Sequence, residues 1–385
     1  MTDLPAPSPA AGQAVLSELV ADRAQAWDLA GVLPVKLLRD LGARGLLCAQ
    51  VPQTYGGLGL DSAANGELTA HTGALCSSLR SVQTSQGMAA WTILRFGDAA
   101  QRRHHLGRLT SGELAAVAFS EPEAGSDLSA MTTRIRRDGD GLVVDGAKKW
   151  ITAARYADHL VVFGRFEDAG GPDAEESAGE NAAVVVVPRD TPGVRVETIP
   201  APLGCRAAGH AHITLDSVRL GHHALLGGGA YALPLVVTTA LTYGRLSVAW
   251  GCVGILRACL RAAAEHAGSR KQFGQPLAAH QLVAGHLAEL LVAEQNATRA
   301  CEHASRQWDT RQPDLAMAAV LAKHVSATGA AACSSLAVQV LASAGAVDGH
   351  VVARAHRDAK LMEIIEGSNE ISRLLLAEHA LATTR

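Results

Sequence analysis

One carboxylate near the C-terminus, Glu366, carries the clearest chemical signal in the chain. It stands in Lys360-Leu-Met-Glu-Ile-Ile-Glu-Gly-Ser-Asn-Glu-Ile-Ser-Arg373. A helix-prone segment stops at Glu366-Gly367. Ser368 and Asn369 follow, and Ile371, Leu374, Leu375 and Ala377 then resume a helical apolar stripe. Glycine favours helix ends, and Ser or Asn favours helix starts, so the pattern predicts helix, tight break, helix. A carboxylate on such a corner, flanked by Ile364 and Ile365, can project into a cavity. If the cavity is apolar, desolvation raises its pKa and makes it a usable general base. Read alone, a Glu-Gly before a helix is usually only a cap, so the rest of the chain must decide.

The chain has 385 residues, enough for two or three compact domains, and 48% of them are apolar. A net charge of -3 leaves no nucleic-acid footprint and no basic membrane-binding run. No apolar run is read as reaching transmembrane length. Met1 to Gly12 reads as a disordered Pro/Ala/Ser-rich tail and not as a signal peptide. The seven cysteines are scattered, with no Cys-x-x-Cys, which predicts a reducing cytoplasm, no disulfide framework and no metal site.

The period of the pattern changes twice. Residues 13–114 read as helical, with a Pro/Gly-forced loop at Val51 to Leu60 and a helix capped by Asp61-Ser62. Ser77 to Leu94 is rich in small residues (Ser81, Thr84, Ser85, Gly87), a surface suited to close approach by another helix or a ligand. Residues 115–228 read as strands: Leu142–Asp145, Lys149–Thr152, His159–Phe163, Ala183–Val187 and Gly193–Glu197. Asp145-Gly146 reads as a hairpin turn between the first two, and the acidic stretch from Phe166 to Asn181 as a surface loop. Residues 229–385 return to long Ala/Leu-rich helices. No GxGxxG fingerprint occurs, and Gly227-Gly-Gly229 lacks the strand and Lys of a phosphate loop.

Four strings, in this order, resemble the acyl-CoA dehydrogenase family over nearly the whole chain. The first is Phe119-Ser-Glu-Pro-Glu-Ala-Gly-Ser-Asp127, similar to the loop by which that family contacts its flavin ring. The second is Lys149-Trp-Ile-Thr152, in which Trp150 and Thr152 share a strand face. The third is Arg270-Lys-Gln-Phe-Gly274 with His280-Gln281, where an Arg fork suits phosphate. The fourth is Gln339-Val-Leu-Ala-Ser-Ala-Gly345, in which Ala342 and Ser343 replace the family's usual two glycines. The opening stretch completes the set, with Ile365 where the family has Tyr.

The resemblance implies an α+β multidomain fold: an N-terminal helical domain, a middle antiparallel β domain (a barrel), and a C-terminal four-helix bundle. It implies FAD as cofactor, bordered by Phe119, Ser120, Gly125, Ser126, Trp150, Ile151 and Thr152 at the ring. Arg270, Gln272, Phe273, His280, Gln281, Gln339, Val340, Ser343, Ser368 and Glu370 would border the remainder. Glu366 becomes the catalytic base, with Ser126, Arg245 and Gly367 next to the substrate. It also implies a homodimer or homotetramer, in which Arg270 reaches a neighbouring subunit's FAD, and an electron-transfer flavoprotein or oxygen as acceptor.

Further strings, among them Cys76-Ser-Ser-Leu-Arg-Ser81, Thr84 to Trp91, Gly204-Cys-Arg-Ala-Ala-Gly-His210 and Ala249 to Gly254, resemble a subgroup from polyketide clusters. That subgroup makes hydroxymalonyl- and methoxymalonyl-acyl carrier protein extender units. The implied substrate is 2-hydroxy-3-oxopropionyl, or glyceryl, on an acyl carrier protein. The alternative is a short-chain acyl-CoA dehydrogenase introducing an α,β double bond into a CoA thioester. Trp91, Trp250 and Met88 are the bulky residues expected to shorten the acyl pocket.

Overall fold

The computed structural model describes residues 9–167, 181–229 and 231–383. Six helices come first: α1 Pro9–Val20, α2 Ala24–Ala30, α3 Val35–Ala43, α4 Ser62–Leu75, α5 Ser77–Phe96 and α6 Ala99–Leu109. Pro9 to Gly12, expected in a disordered tail, form the first turn of α1, where proline is tolerated and the following alanines favour helix. Residues 1–8 lie outside the described residues. Asp61 caps α4 by accepting from the Ala64 amide at 2.7 Å. Helix α5 is buried along most of its length, so its small residues serve close packing on several sides at once.

Eight strands follow: β1 Ala115–Ala118, β2 Arg134–Asp138, β3 Gly141–Ile151, β4 His159–Glu167, β5 Asn181–Pro188, β6 Val194–Thr198, β7 Ala211–Gly221 and β8 Tyr231–Ala232. Their order is β6-β7-β3-β2-β4-β5-β8, with β1 also on β4. The sheet is mixed, not antiparallel as expected. Both β1 and β2 pair with β4 in parallel, β1 along His159–Val162 and β2 along Arg165–Glu167. They lie end to end on one edge of β4, and the segment between them must loop out. Among the described residues no pairing closes the sheet into a barrel.

Asp145-Gly146 is not a hairpin turn. Strand β3 runs straight through it, with a bulge against β7 between Val144 and Gly146. The Asp145 carboxylate accepts from the Ser217 amide and pairs with Arg136, which fixes the bulge to both neighbouring strands. Of the expected acidic loop, residues 168–180 lie outside the described residues.

The last third holds α7 Leu233–Ser269, a small hairpin of β9 Lys271–Gln272 and β10 Gln275–Pro276, then α8 Gln281–Asp309, α9 Leu315–Leu341, α10 Val351–Met362 and α11 Asn369–Thr383. Helix α7 packs on α4, α5, α8, α9 and α10, while α11 lies against α9. Helices α7, α8, α9 and α10 pack as the expected bundle, and α11 is added on the α9 side. By length and composition α7 and Leu315–Ala344 could cross a membrane, contrary to the expectation from sequence. Much of that apolar surface, most of it in α7, is instead buried in the protein.

The loop between β1 and β2 is held by a buried ion pair. Lys148 Nζ, fully buried, lies 2.7 Å from Glu121 Oε1 and also donates to the Phe119 carbonyl at 3.1 Å. Glu121 further accepts from the Thr132 amide and hydroxyl and from the Thr133 amide. Burial alone would raise the Glu121 carboxyl, but Lys148 and these donors bring it down to about 2. A carboxyl depressed in the fold stabilises it above the unfolded pKa of 4.5, and that contribution is lost as pH falls towards 2. Lys148→Met should therefore cost about 3–5 kcal/mol at neutral pH by leaving Glu121 unpaired, measured by urea unfolding. The difference between variant and wild type should shrink between pH 5 and pH 2, to within error if Glu121 is its source.

Candidate active site

The chain between α10 and α11 turns a corner in two residues with left-handed backbone, Glu366 at φ 55° and Gly367 at φ 91°. A non-glycine residue there is strained and must be held by its surroundings. Two cations hold it through backbone carbonyls. Arg245 Nε on α7 donates to the Glu366 carbonyl at 3.0 Å. Lys323 Nζ on α9, buried, donates to the Gly367 carbonyl at 2.7 Å and to the Glu363 carbonyl at 3.4 Å. The Asn369 amide returns to the Glu363 carbonyl at 2.9 Å, and Ser368 Oγ caps α11 at the Ile371 amide. Burial lowers the Lys323 ammonium to about 8.

The corner turns the Glu366 side chain inward. Its Oε2 is buried and has no hydrogen-bond partner. It sits in a notch on α7 at Gly244, where a Cβ would overlap Oε2 and would also lie 2.8 Å from Met88 Sδ. Burial pushes the Glu366 carboxyl up to about 7, and the charges of Arg245, Lys323 and Arg80 restrain the rise. Glu363, three residues earlier, instead pairs with Lys360 at 2.9 Å on the surface side. Arg245 thus orients the base through its backbone, and Gly367 supplies a carbonyl to Lys323.

The expected ring-contacting residues converge on one face. The Lys149 amide donates to the Ser120 carbonyl at 2.8 Å, which joins the β1–β2 loop to the end of β3. Gly125 and Ser126 are exposed on that loop. Trp150, at φ 59°, is 53% exposed, its ring edge-on to His210 and His212. The Thr152 carbonyl accepts from Ser85 Oγ on α5 at 3.1 Å, and its hydroxyl lies 3.2 Å from His210 Nδ1. Phe119, stacked on Phe163 at 3.8 Å, and Ile151 are in the core, so they can meet a cofactor only through backbone.

Of the other expected cofactor residues, Arg270 and the hairpin after it are remote from the Gly244 notch. Arg270 lies 26 residues along α7 from Gly244, about 39 Å at 1.5 Å per residue. Exposed Gln272 and Phe273 form the β9–β10 hairpin beside His280, whose Nε2 lies 3.2 Å from the Gln272 carbonyl, and Gln281 opens α8. Phe273 is 95% exposed. Gln339 and Ser343 are exposed at the end of α9, and Val340 is buried. Ala342 has φ 50°, a conformation that glycine adopts without strain. Glu370 is exposed at the start of α11.

These residues fit FAD. An exposed indole on a left-handed strand end, an open loop of Ser and Gly, and a half-buried Thr suit a flat ring with polar edges. A distant Arg and Gln suit a pyrophosphate and adenosine. Tyr243 fills the gap left by Gly87 on α5, where a Cβ would overlap its hydroxyl, and lies edge-on to Trp308, itself 4.5 Å from Trp91. Met88 borders the base. Trp250 instead bonds Ser305 at 3.0 Å in the α4–α8 core, and Trp91 donates to the Thr239 carbonyl.

A buried base of raised pKa and an open face of Trp150, Ser126 and Thr152 are the parts a flavin-dependent oxidoreductase needs. The N-terminal, middle and C-terminal domains of acyl-CoA dehydrogenase match residues 10–113, 116–218 and 235–381. The chain belongs to the acyl-CoA dehydrogenase family, whose members are FAD-dependent oxidoreductases. It is 32% identical over 370 residues to the mitochondrial short-chain specific acyl-CoA dehydrogenase of Mus musculus, covering 96% of this chain and 87% of that protein. It superposes on FkbI, an enzyme for biosynthesis of the methoxymalonyl extender unit of the FK520 polyketide, with a TM-score of 0.90 and 62% identity over 96% of this chain and 99% of that one. A glutaryl-CoA dehydrogenase from Mycobacterium smegmatis in complex with FADH2 superposes with a TM-score of 0.88 at 25% identity, over 97% of this chain and 94% of that one.

A base works only when deprotonated, so flavin reduction should rise with pH to a plateau above about 7 and fall about tenfold per unit below it. Glu366→Gln should retain FAD and lose about a hundredfold or more in rate. Stability moves the opposite way. A carboxyl whose folded pKa exceeds its unfolded value of 4.5 disfavours the fold as pH rises from 4.5 to about 7. Glu366→Gln should therefore unfold at higher urea than wild type at pH 8 and match it at pH 4. A reduction rate equal to wild type would remove Glu366 from the chemistry.

Proposed function

We propose that this chain oxidises a short, oxygenated three-carbon acyl thioester on an acyl carrier protein, 2-hydroxy-3-oxopropionyl or its glyceryl precursor, to the hydroxymalonyl thioester. The product serves methoxymalonyl extender-unit formation in a polyketide pathway, in a reducing cytoplasm. The observation that carries this reading is the Glu366 carboxylate, set against Gly244 with Met88 alongside and with Oε2 buried and unpartnered, a base poised for a substrate proton. The likeness to FkbI over 96% of the chain supports the substrate class.

Glu366 takes a hydroxyl proton from the hydrated C3 aldehyde. C3 loses its remaining hydrogen with the bonding electron pair and becomes a carboxylic acid. When bound, FAD supplies the two-electron hydride acceptor that this oxidation requires. Ser126, Thr152 and the loop amides hold the ring edge, and Arg245 and Lys323 keep the base in place.

The enzyme is a homodimer or homotetramer. The separation of about 39 Å along α7 between the Gly244 notch and Arg270 supports this, because one chain then presents the ring half of one FAD site and the distal half of another. An electron-transfer flavoprotein or oxygen regenerates the oxidised flavin.

The test presents the anaerobic FAD enzyme with three-carbon thioesters on carrier protein and on CoA. Flavin bleaching is followed, and the thioesters are weighed by mass spectrometry. A gain of 16 Da on the carrier-bound aldehyde (14 Da on the glyceryl alcohol), with faster bleaching than by the CoA thioester, is expected. Loss of 2 Da from butyryl-CoA as the preferred reaction would make this a short-chain acyl-CoA dehydrogenase instead.

A further inference from the structure

Besides Glu366 Oε2, the buried polar atoms without a partner include Arg80 Nε, His210 Nε2 and Asn369 Oδ1. Arg80 is the unusual one. It lies on α5, is 1% exposed, and forms no ion pair with any described residue. Its acceptors are weak and neutral: Thr84 Oγ1 at 3.3 Å and Met362 Sδ at 2.9 Å. A guanidinium carries five N–H donors, and burying one without an anion costs several kcal/mol. The buried carboxylate of Asp358 is elsewhere engaged, accepting from the Cys205 amide.

The packing makes room for this cation. Helices α5 and α7 face each other antiparallel through Arg80 on Gly251, Thr84 on Ser247 and Met88 on Gly244. A Cβ at Gly251 would lie 2.6 Å from Arg80 Cδ and 2.7 Å from Nε, and Thr84 Oγ1 meets Ser247 Oγ at 2.8 Å. The Gly244 end of this row holds Glu366. The guanidinium points back along the row towards Thr84, and Met362, which it also touches, closes α10 just before the corner. Its charge is felt by both Glu366 and His210. His210 in turn adjoins the Thr152 hydroxyl at 3.2 Å. A hydrocarbon acyl group would bring nothing to satisfy these donors.

We propose that Arg80 is the anion-recognising residue of the acyl pocket, receiving the C3 oxygens of a malonyl-type thioester, with His210 Nε2 as a second contact. The inference rests on the three-carbon oxygenated substrate proposed above. Oxidation of an aldehyde hydrate to an acid creates a carboxylate at C3, and Arg80 is the buried cation on the row leading to the base that has neither a carboxylate nor a carbonyl as acceptor among the described residues.

Calorimetry with the FAD-bound enzyme tests this without turnover. Malonyl-pantetheine and acetoacetyl-pantetheine have the same shape and differ by a carboxylate oxygen in place of a methyl group. Wild type should bind the malonyl compound about ten- to a hundredfold tighter. Arg80→Met should bring the two to about parity, and Arg80→Lys, which keeps the charge but loses the fork, should fall between. Equal affinities in wild type overturn the proposal whether or not the variants fold, and so does an unchanged malonyl preference in Arg80→Met. Wild type that prefers malonyl but oxidises no carrier-bound aldehyde refutes the proposed reaction and leaves the anion site. Oxidation without malonyl preference does the reverse.

Discussion

The site depends on two backbone carbonyls. Glu366 and Gly367 occupy left-handed conformations, and an isolated corner of this kind would relax. Arg245 and Lys323 reach it from different helices and take the Glu366 and Gly367 carbonyls as acceptors. The same two cations lie close enough to temper the pKa of the carboxylate they position. Strain, charge and orientation are therefore set by one set of contacts. Helix α7 supplies both Arg245 and the notch at Gly244, so the packing of α7 on α9 and α10 fixes where the base stands.

The sheet does a comparable task for the other half of the site. Because β1 and β2 share one edge of β4, the chain between them must leave the sheet, and it leaves where a ring can be met. The Lys148–Glu121 pair closes the base of that loop, and the Ser120–Lys149 hydrogen bond ties it to Trp150. Ser85 on α5 reaches the Thr152 carbonyl, while Met88 on the same helix borders Glu366. Helix α5 is thus the element shared by the ring face and the base.

Much of this was legible in the sequence where the signal was local. Gly367 with Ser368 and Asn369 marked the corner, and the change of period marked the sheet between helices. Where partners are distant in sequence, local reading failed. Asp145-Gly146 has turn composition, but its carboxylate is claimed by Arg136 and Ser217, which keeps β3 continuous. Parallel pairing of β1 and β2 with β4 leaves no mark on either strand. Lys323 and Gly244 were missed because their roles appear only when α7, α9 and the corner meet. A lone Lys within Ala-Val-Leu-Ala-Lys323 and a Gly inside an apolar helix were the available hints.

The buried cations show how the protein separates structure from recognition. Lys148 has a carboxylate and a carbonyl; Lys323 has two carbonyls at the corner. Each is matched by acceptors the chain itself supplies, and each holds backbone in place. Arg80 has a hydroxyl and a thioether, which satisfy little of its donor capacity. Desolvation acts on all three, so the unmatched one is the least explained by folding. A residue that burdens the free protein in this way gains a physical rationale if a ligand supplies the missing anion. The polar row from Arg80 through Thr84 and Ser247 to the Glu366 notch then reads as a wall suited to an oxygen-bearing substrate, with Met88 facing Gly244 at its far end.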